Sequence, residues 1–266
     1  MRRILLGVLA LTALVGGARA ADLPARSYAK APAINPGINW SGFYAGINAG
    51  YGYGSAPTSL DLNAVEQGVI LPGVNNPLPP TLHPEGFVGG GQVGYNAQFG
   101  SVVAGLEADI DYANLRKTDA ASGAPFIGGI LTTTIESKLD WFGTLRGRLG
   151  VLPANNVLLY ATGGLAYGQV RTTMTGSNMP PFSCNGPGLS VYCATGTTSG
   201  VSVGWTVGGG IEYAFAPNWT IRGEYLYLDL GSQSVTFPDR DVPGGLLTSH
   251  TSFTAHIGRA GLNYRF

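Results

Sequence analysis

The chain has 266 residues with 15 basic and 15 acidic side chains, 42 glycines, and charged residues at only 11%, against roughly 25% in soluble globular proteins. Such a chain must bury most of its surface or show apolar surface to something other than water, and its balanced charge gives no footprint for nucleic acid. After the N-terminus no uninterrupted apolar stretch approaches the roughly 18 residues a membrane helix needs.

The opening MRRILLGVLALTALVGGARA carries two arginines, an apolar run from Ile4 to Val15 and an Ala18-Arg19-Ala20 end. Those are the three regions of a secretory signal, so residues 1–20 are expected to be a cleaved signal peptide and the chain to be exported. Loss of Arg2, Arg3 and Arg19 leaves 12 basic and 15 acidic residues. Residues 21–41, with three prolines before Asn39, have no periodicity and read as an irregular leader. Residues 42–266 are expected to form a single β-domain.

From Gly42 onward, alternation at period two recurs eight times, the signature of strands rather than helices. GFYAGINAGYGYG sets Phe43, Ala45, Ile47, Ala49, Tyr51 and Tyr53 on one face against glycines and Asn48, and FVGGGQVGYNAQF does the same with Val93, Tyr95 and Phe99. VVAGLEADIDY opposes Leu106 and Ile110 to Glu107, Asp109 and Asp111. SKLDWFGTLRGRLGVL puts Leu139, Trp141, Leu145 and Leu149 against Lys138, Asp140, Thr144, Arg146 and Arg148. VLLYATGGLAYGQV follows, then VSVGWTVGGGIEYAF with Glu212 on its polar side and WTIRGEYLYLDL with Arg222 and Glu224. The closing stretch, roughly Thr251 to Phe266, places Arg259 and Asn263 opposite Leu262, Tyr264 and Phe266.

The connections alternate in length: tight around Gly100-Ser101, residues 153–156 and 216–218, long over about 55–86, 113–136, 172–199 and 231–250. Eight runs joined in this way predict an all-β fold, an eight-stranded antiparallel transmembrane β-barrel with short periplasmic turns and four long extracellular loops. The charge-free, large-residue face suits hydrocarbon, which demands a continuous apolar belt and no unpaired backbone. Aromatics near strand ends, such as Tyr51, Tyr112, Trp141, Trp219 and Phe266, suit the two interfaces. Glu107, Asp109, Asp111, Arg146, Arg148, Glu212, Arg222, Glu224 and Arg259 then share the interior as a pairing network that fills the lumen. Inward glycines such as Gly94, Gly164 and Gly208 either leave room for water or admit tyrosines from facing strands.

Cys184 and Cys193, the two cysteines, lie in a Pro/Gly/Ser-rich stretch of an exported chain and read as a disulfide closing a small loop, the alternative being two free thiols. His83 and His250 read as loop residues and His256 as facing lipid or an interface; His250 near Ser249 and Ser252 is the one pairing with nucleophilic character. The histidines lack metal-ligand spacing, so no catalytic residues, metal or cofactor are expected.

ADLPARSY, WSGFYAGINAGYGYG, LLYATGGLAYGQV, VGGGIEYAFAPNWTIRGEYLYLDLG and the terminal GLNYRF together resemble the outer-membrane immunogenic protein family of alphaproteobacteria, small porin-family barrels related to OmpA-like and opacity-type barrels. The resemblance implies an eight-stranded barrel in the Gram-negative outer membrane without enzymatic activity. It implies insertion by the barrel assembly machinery, which reads an aromatic C-terminal strand, here Leu262, Tyr264 and Phe266. Expected partners are outer-membrane lipid, lipopolysaccharide and, through the loops, host or environmental ligands, with no peptidoglycan-binding domain after the barrel. The function expected is structural support of the envelope with surface display; the alternative is a narrow channel for small solutes.

Overall fold

The computed structural model describes residues 38–63, 81–126, 129–178, 195–238 and 244–266. The expected signal peptide, most of the leader, and Cys184 and Cys193 lie outside the described residues. The strands are β1 (Gly42–Ser55), β2 (Thr58–Leu62), β3 (Glu85–Phe99), β4 (Val102–Phe126), β5 (Gly129–Ala154), β6 (Val157–Asn178), β7 (Thr195–Ala214), β8 (Trp219–Pro238) and β9 (Leu246–Arg265). Setting β2 aside, each strand pairs with the next, and β1 also pairs with β9, so eight antiparallel strands close a ring; β2 adds to the far end of β9. Closure leaves no free edge at membrane depth, which hydrocarbon requires.

The register turns the period-two pattern into an inside and an outside. Ile47 lies opposite Gly91 on one neighbour and Leu262 on the other, so all three share a face. That face points out: Phe43 is 68%, Leu106 65% and Val203 68% exposed, whereas Arg146 is 0% and Arg222 2% exposed. Large apolar groups outside and guanidinium groups inside reverse the arrangement of a water-soluble barrel, and lipid is the solvent that makes it favourable.

Tight turns at Gly100, where φ is +64°, and at Asn155-Asn156 mark the short-turn, periplasmic end. At the other end the strands run on through much of what the sequence reads as loop. β4 and β5 pair out to Phe126 and Gly129, β6 and β7 to Thr175 and Thr195, and β8 and β9 to Pro238 and Leu246. Spanning the bilayer takes about 9–11 residues, so the 26-residue β5 stands well clear of it. Cross-strand hydroxyl pairs hold these extensions, among them Ser122–Thr132 at 2.9 Å and Thr236–Thr248 at 2.9 Å.

Two local features shape this outer part. A register shift in β5 at Asp140 reverses the face of the residues before it. Leu139, expected on the lipid side, is fully buried, while Lys138 and Asp140, expected inside with the arginines, are partly exposed on the outer face. An extra residue between ladder pairs does this, because each unit of slip exchanges the two faces. In addition, the β7–β8 ladder stops at Trp205–Asp229, where β8 bulges over Gly231 at φ +69°, and the β3–β4 ladder ends at Glu85–Arg116. Among the described residues, the wall above those points is two separate sheets, β4–β5–β6–β7 and β8–β9–β2.

Candidate functional site

Inward positions build three levels of lumen filling. At the periplasmic end Trp40, which precedes β1, is fully buried. Its backbone N–H donates to Gln98 Oε1 at 2.8 Å and its indole Nε1–H to the Asn155 carbonyl at 3.1 Å. Arg265 lies 5.1 Å from the Trp40 ring and donates to the carbonyls of Asn39 and Pro217 at 2.7 and 2.6 Å. Val103, Leu158 and Tyr160 pack beneath the indole. Trp40 keeps the inward parity of Tyr44 and Asn48, but it precedes the first strand residue, where the sequence reads as leader.

The middle level gathers nine of the charged residues that alternation assigns to the interior, all but Lys138 and Asp140. Arg146 donates to Asp109 Oδ2 at 2.8 Å, to Glu224 Oε1 at 3.0 Å, to Thr162 Oγ1 at 3.1 Å, and to Glu107. Arg259 donates to Asp109 at 2.7 Å, Asp111 at 2.8 Å and Glu224 at 2.8 Å. Arg222 pairs with Glu107 and Arg148 with Glu212. Glu212 also accepts from Asn263 at 3.0 Å and from Thr220. Neutral groups complete the network: Tyr44 donates to Glu107 at 2.5 Å, Thr144 to Asp109 at 2.9 Å, and the Tyr160 ring lies 3.8 Å under the Arg148 guanidinium. The sequence analysis leaves the roles of Tyr44 and Thr162 unassigned, although both share the arginines' parity.

Gly94 shows what the inward glycines do: a Cβ there would collide with the edge of the Tyr44 ring and its hydroxyl, so the missing side chain is the space the tyrosine occupies. At Gly208 a Cβ would meet the Tyr225 backbone carbonyl first and then the Leu226 side chain, so there the glycine admits the neighbouring backbone as well. Above the charges, Leu115, Leu139, Phe142, Leu226, Phe253 and Ile257 form a buried apolar cluster. Dispersion contacts and exclusion of water hold this third level.

The histidines all lie outside the lumen network. His83 stacks on Tyr53 with centroids 5.5 Å apart, and His256 Nδ1 is 2.6 Å from the Tyr225 hydroxyl on the outer face. His250 lies in β9 rather than in a loop. Its partners are Ser234, at 2.6 Å from Nδ1, and Asp61, at 3.2 Å from Nε2, in place of Ser249 and Ser252. Alternation turns Ser249 to the other face, and cross-strand neighbours are closer than residues two along the same strand. Asp61 is 73% exposed and His250 42%, so water screens this relay and its contribution is to tie β2, β9 and β8 together. No group of three His, Cys, Asp or Glu able to hold a metal occurs among the described residues.

Leu262 and Tyr264 face outward on β9, and Phe266 is 77% exposed. The Tyr264 ring contacts Trp219 and Phe266 edge-on, and the Phe266 N–H donates to the Phe43 carbonyl at 3.0 Å. The terminal residues thus complete an aromatic cluster at the periplasmic rim.

The sequence profile of the family described as outer membrane protein beta-barrel domain matches residues 7–266. The chain belongs to that family. A curated relative, the 31 kDa outer-membrane immunogenic protein of Brucella melitensis, is 36% identical over 233 residues, spanning 86% of this chain and 85% of the relative. The 22 kDa outer membrane protein of Rhizobium leguminosarum is 31% identical over 202 residues, 75% of this chain and 69% of the relative. Among solved structures, the outer membrane protein OprG of Pseudomonas aeruginosa aligns over 86% of this chain and 98% of its own, at 12% identity and a TM-score of 0.46. Family membership places the protein in the outer membrane, with the apolar girdle in lipid and the long hairpins at the cell surface.

Proposed function

We propose that the protein is a sealed structural barrel, supporting the envelope and holding sheet-like hairpins at the surface for contact with host or environment. The observation that carries this reading is the filling of the lumen at three successive levels: Trp40, the arginine–carboxylate network and the apolar cluster around Phe142 and Phe253. A solute path needs continuous water, whereas here the widest side chains meet across the barrel and the glycines are matched to them. The hairpins suit display because they are rigid ladders whose tips are free to differ in sequence without disturbing closure.

Planar-bilayer recording of refolded protein tests the reading, with heat-modifiable gel mobility establishing that the barrel has folded. Silent bilayers are expected from folded protein. Reproducible single-channel steps would overturn the sealed barrel in favour of a narrow solute channel.

A further inference from the structure

The described cations outside the lumen network and the periplasmic rim are Arg116, Lys117, Lys138 and Arg171, all on β4, β5 and β6. Lys138 is the cross-strand partner of both Arg116 and Arg171, so these three form one lateral row. Leu115, Ser137, Leu139, Val170 and Thr172 are buried on the inner face, which turns Arg116, Lys138 and Arg171 outward. The Asp140 bulge puts Lys138 there; without the register shift the lysine would point inward. Directly below lie Tyr112 and Trp141, paired in register, with the Trp141 indole N–H donating to Gln169 at 2.9 Å and its ring 6.1 Å from Tyr167.

We infer that this row is a binding site for the phosphate-bearing headgroup of a glycolipid in the outer leaflet. Aromatic side chains mark the interface at which acyl chains end, and at about 3.3 Å per residue the cations stand roughly 10 Å further out, at headgroup depth. Adjacent strands are about 4.8 Å apart, so the row spans roughly 10 Å and one phosphate can bridge two neighbours. Three acids face the row, Asp140, Glu85 and Glu136, so its charges balance in number, but among the described residues only Asp140 makes an ion pair with it. Asp140 pairs with Lys138 and lies 3.8 Å from Arg171. Glu85 is opposite Arg116 but forms no ion pair with it, and Glu136 is set further out, opposite Thr118 and Thr173. Arg116 has no ion pair among the described residues, and Arg171 is half exposed. A soluble anion would gain nothing from the aromatic shelf beneath, whereas a lipid fills both parts at once.

The test uses full-length mature protein in phosphatidylcholine nanodiscs, with bound lipid A counted by native mass spectrometry. Bisphosphorylated lipid A, the same lipid without phosphates, and inorganic phosphate are the three probes. Each cation near a charged headgroup is worth about fivefold in affinity. The Arg116→Gln, Lys138→Gln, Arg171→Gln triple variant should therefore bind the bisphosphorylated lipid roughly a hundredfold more weakly, and the dephosphorylated lipid unchanged. Asp140→Asn should tighten binding, and Lys117→Gln, on the other side of the sheet, should leave it unchanged. Arg116→Gln alone, at a solvent-exposed unpaired side chain, should show the fivefold step without a folding cost. Equal binding of the bisphosphorylated lipid by wild type, the triple variant and Arg116→Gln, or weaker binding by Asp140→Asn, would overturn the site. Displacement of the lipid by millimolar inorganic phosphate would overturn its assignment to a glycolipid.

Discussion

Arg148 and Glu212 offer the cleanest measurement of what the buried charges contribute. Unlike Arg146, which is shared among Glu107, Asp109 and Glu224, Arg148 has Glu212 as its one carboxylate partner within ion-pair distance. Arg148→Met leaves Glu212 with only the Thr220 and Asn263 donors, and Glu212→Gln leaves the guanidinium over the Tyr160 ring. Removing one member of a buried pair costs about 3–5 kcal/mol, because a desolvated charge loses its counterion. In the double variant both charges are gone, and the glutamine oxygen still accepts from Thr220 and Asn263. Its stability should lie within about 1–2 kcal/mol of wild type. Urea unfolding from lipid vesicles, read by tryptophan fluorescence and gel mobility, gives the four stabilities of the cycle. A double variant as unstable as the sum of the two singles would refute the pairing argument, since independent sites add.

Two further outcomes follow from the geometry. Gly94→Ala should lower stability by about 1–3 kcal/mol through collision with Tyr44, whereas Gly91→Ala, whose added carbon meets only the Gly46 carbonyl at 3.6 Å, should be close to neutral; equal midpoints in urea would contradict the fit between glycine and tyrosine. Deleting Phe266 should cut the amount of protein inserted in the outer membrane severalfold while the refolded barrel keeps its heat-modifiable mobility, and normal insertion would argue against its role as an assembly signal.

Much of the fold was legible because one physical contrast, apolar against charged, repeats at period two from Phe43 to Phe266. The same contrast assigned Glu107, Arg146 and Arg222 to one compartment, since residues of like parity on closed strands must share a face. Legibility failed where the contrast vanishes. Thr132, Thr173, Thr197 and Thr248 lie in strands with hydroxyl groups on both faces, so alternation is invisible there although threonine suits a pleated ladder. It failed again at Asp140, where a bulge exchanges the faces of Lys138 and Leu139 with no adjacent glycine or proline to announce it. Trp40 escaped for a third reason: its indole is held by the Asn155 carbonyl in the β5–β6 turn, a contact across the barrel that no local pattern encodes, while its backbone is held by Gln98 on the neighbouring β3.

The division of the outer wall into two sheets has a consequence for how such a protein can change. Backbone hydrogen bonding transmits a register error from strand to strand, but the ladder is interrupted at Asp229 and again beyond Arg116. An insertion in the β4–β5 hairpin can shift its own pairing and leave β8, β9 and β2 undisturbed, while the membrane ring below keeps its register. Each half of the surface is thus a separately mutable module, free to drift under selection from outside the cell without jeopardising closure.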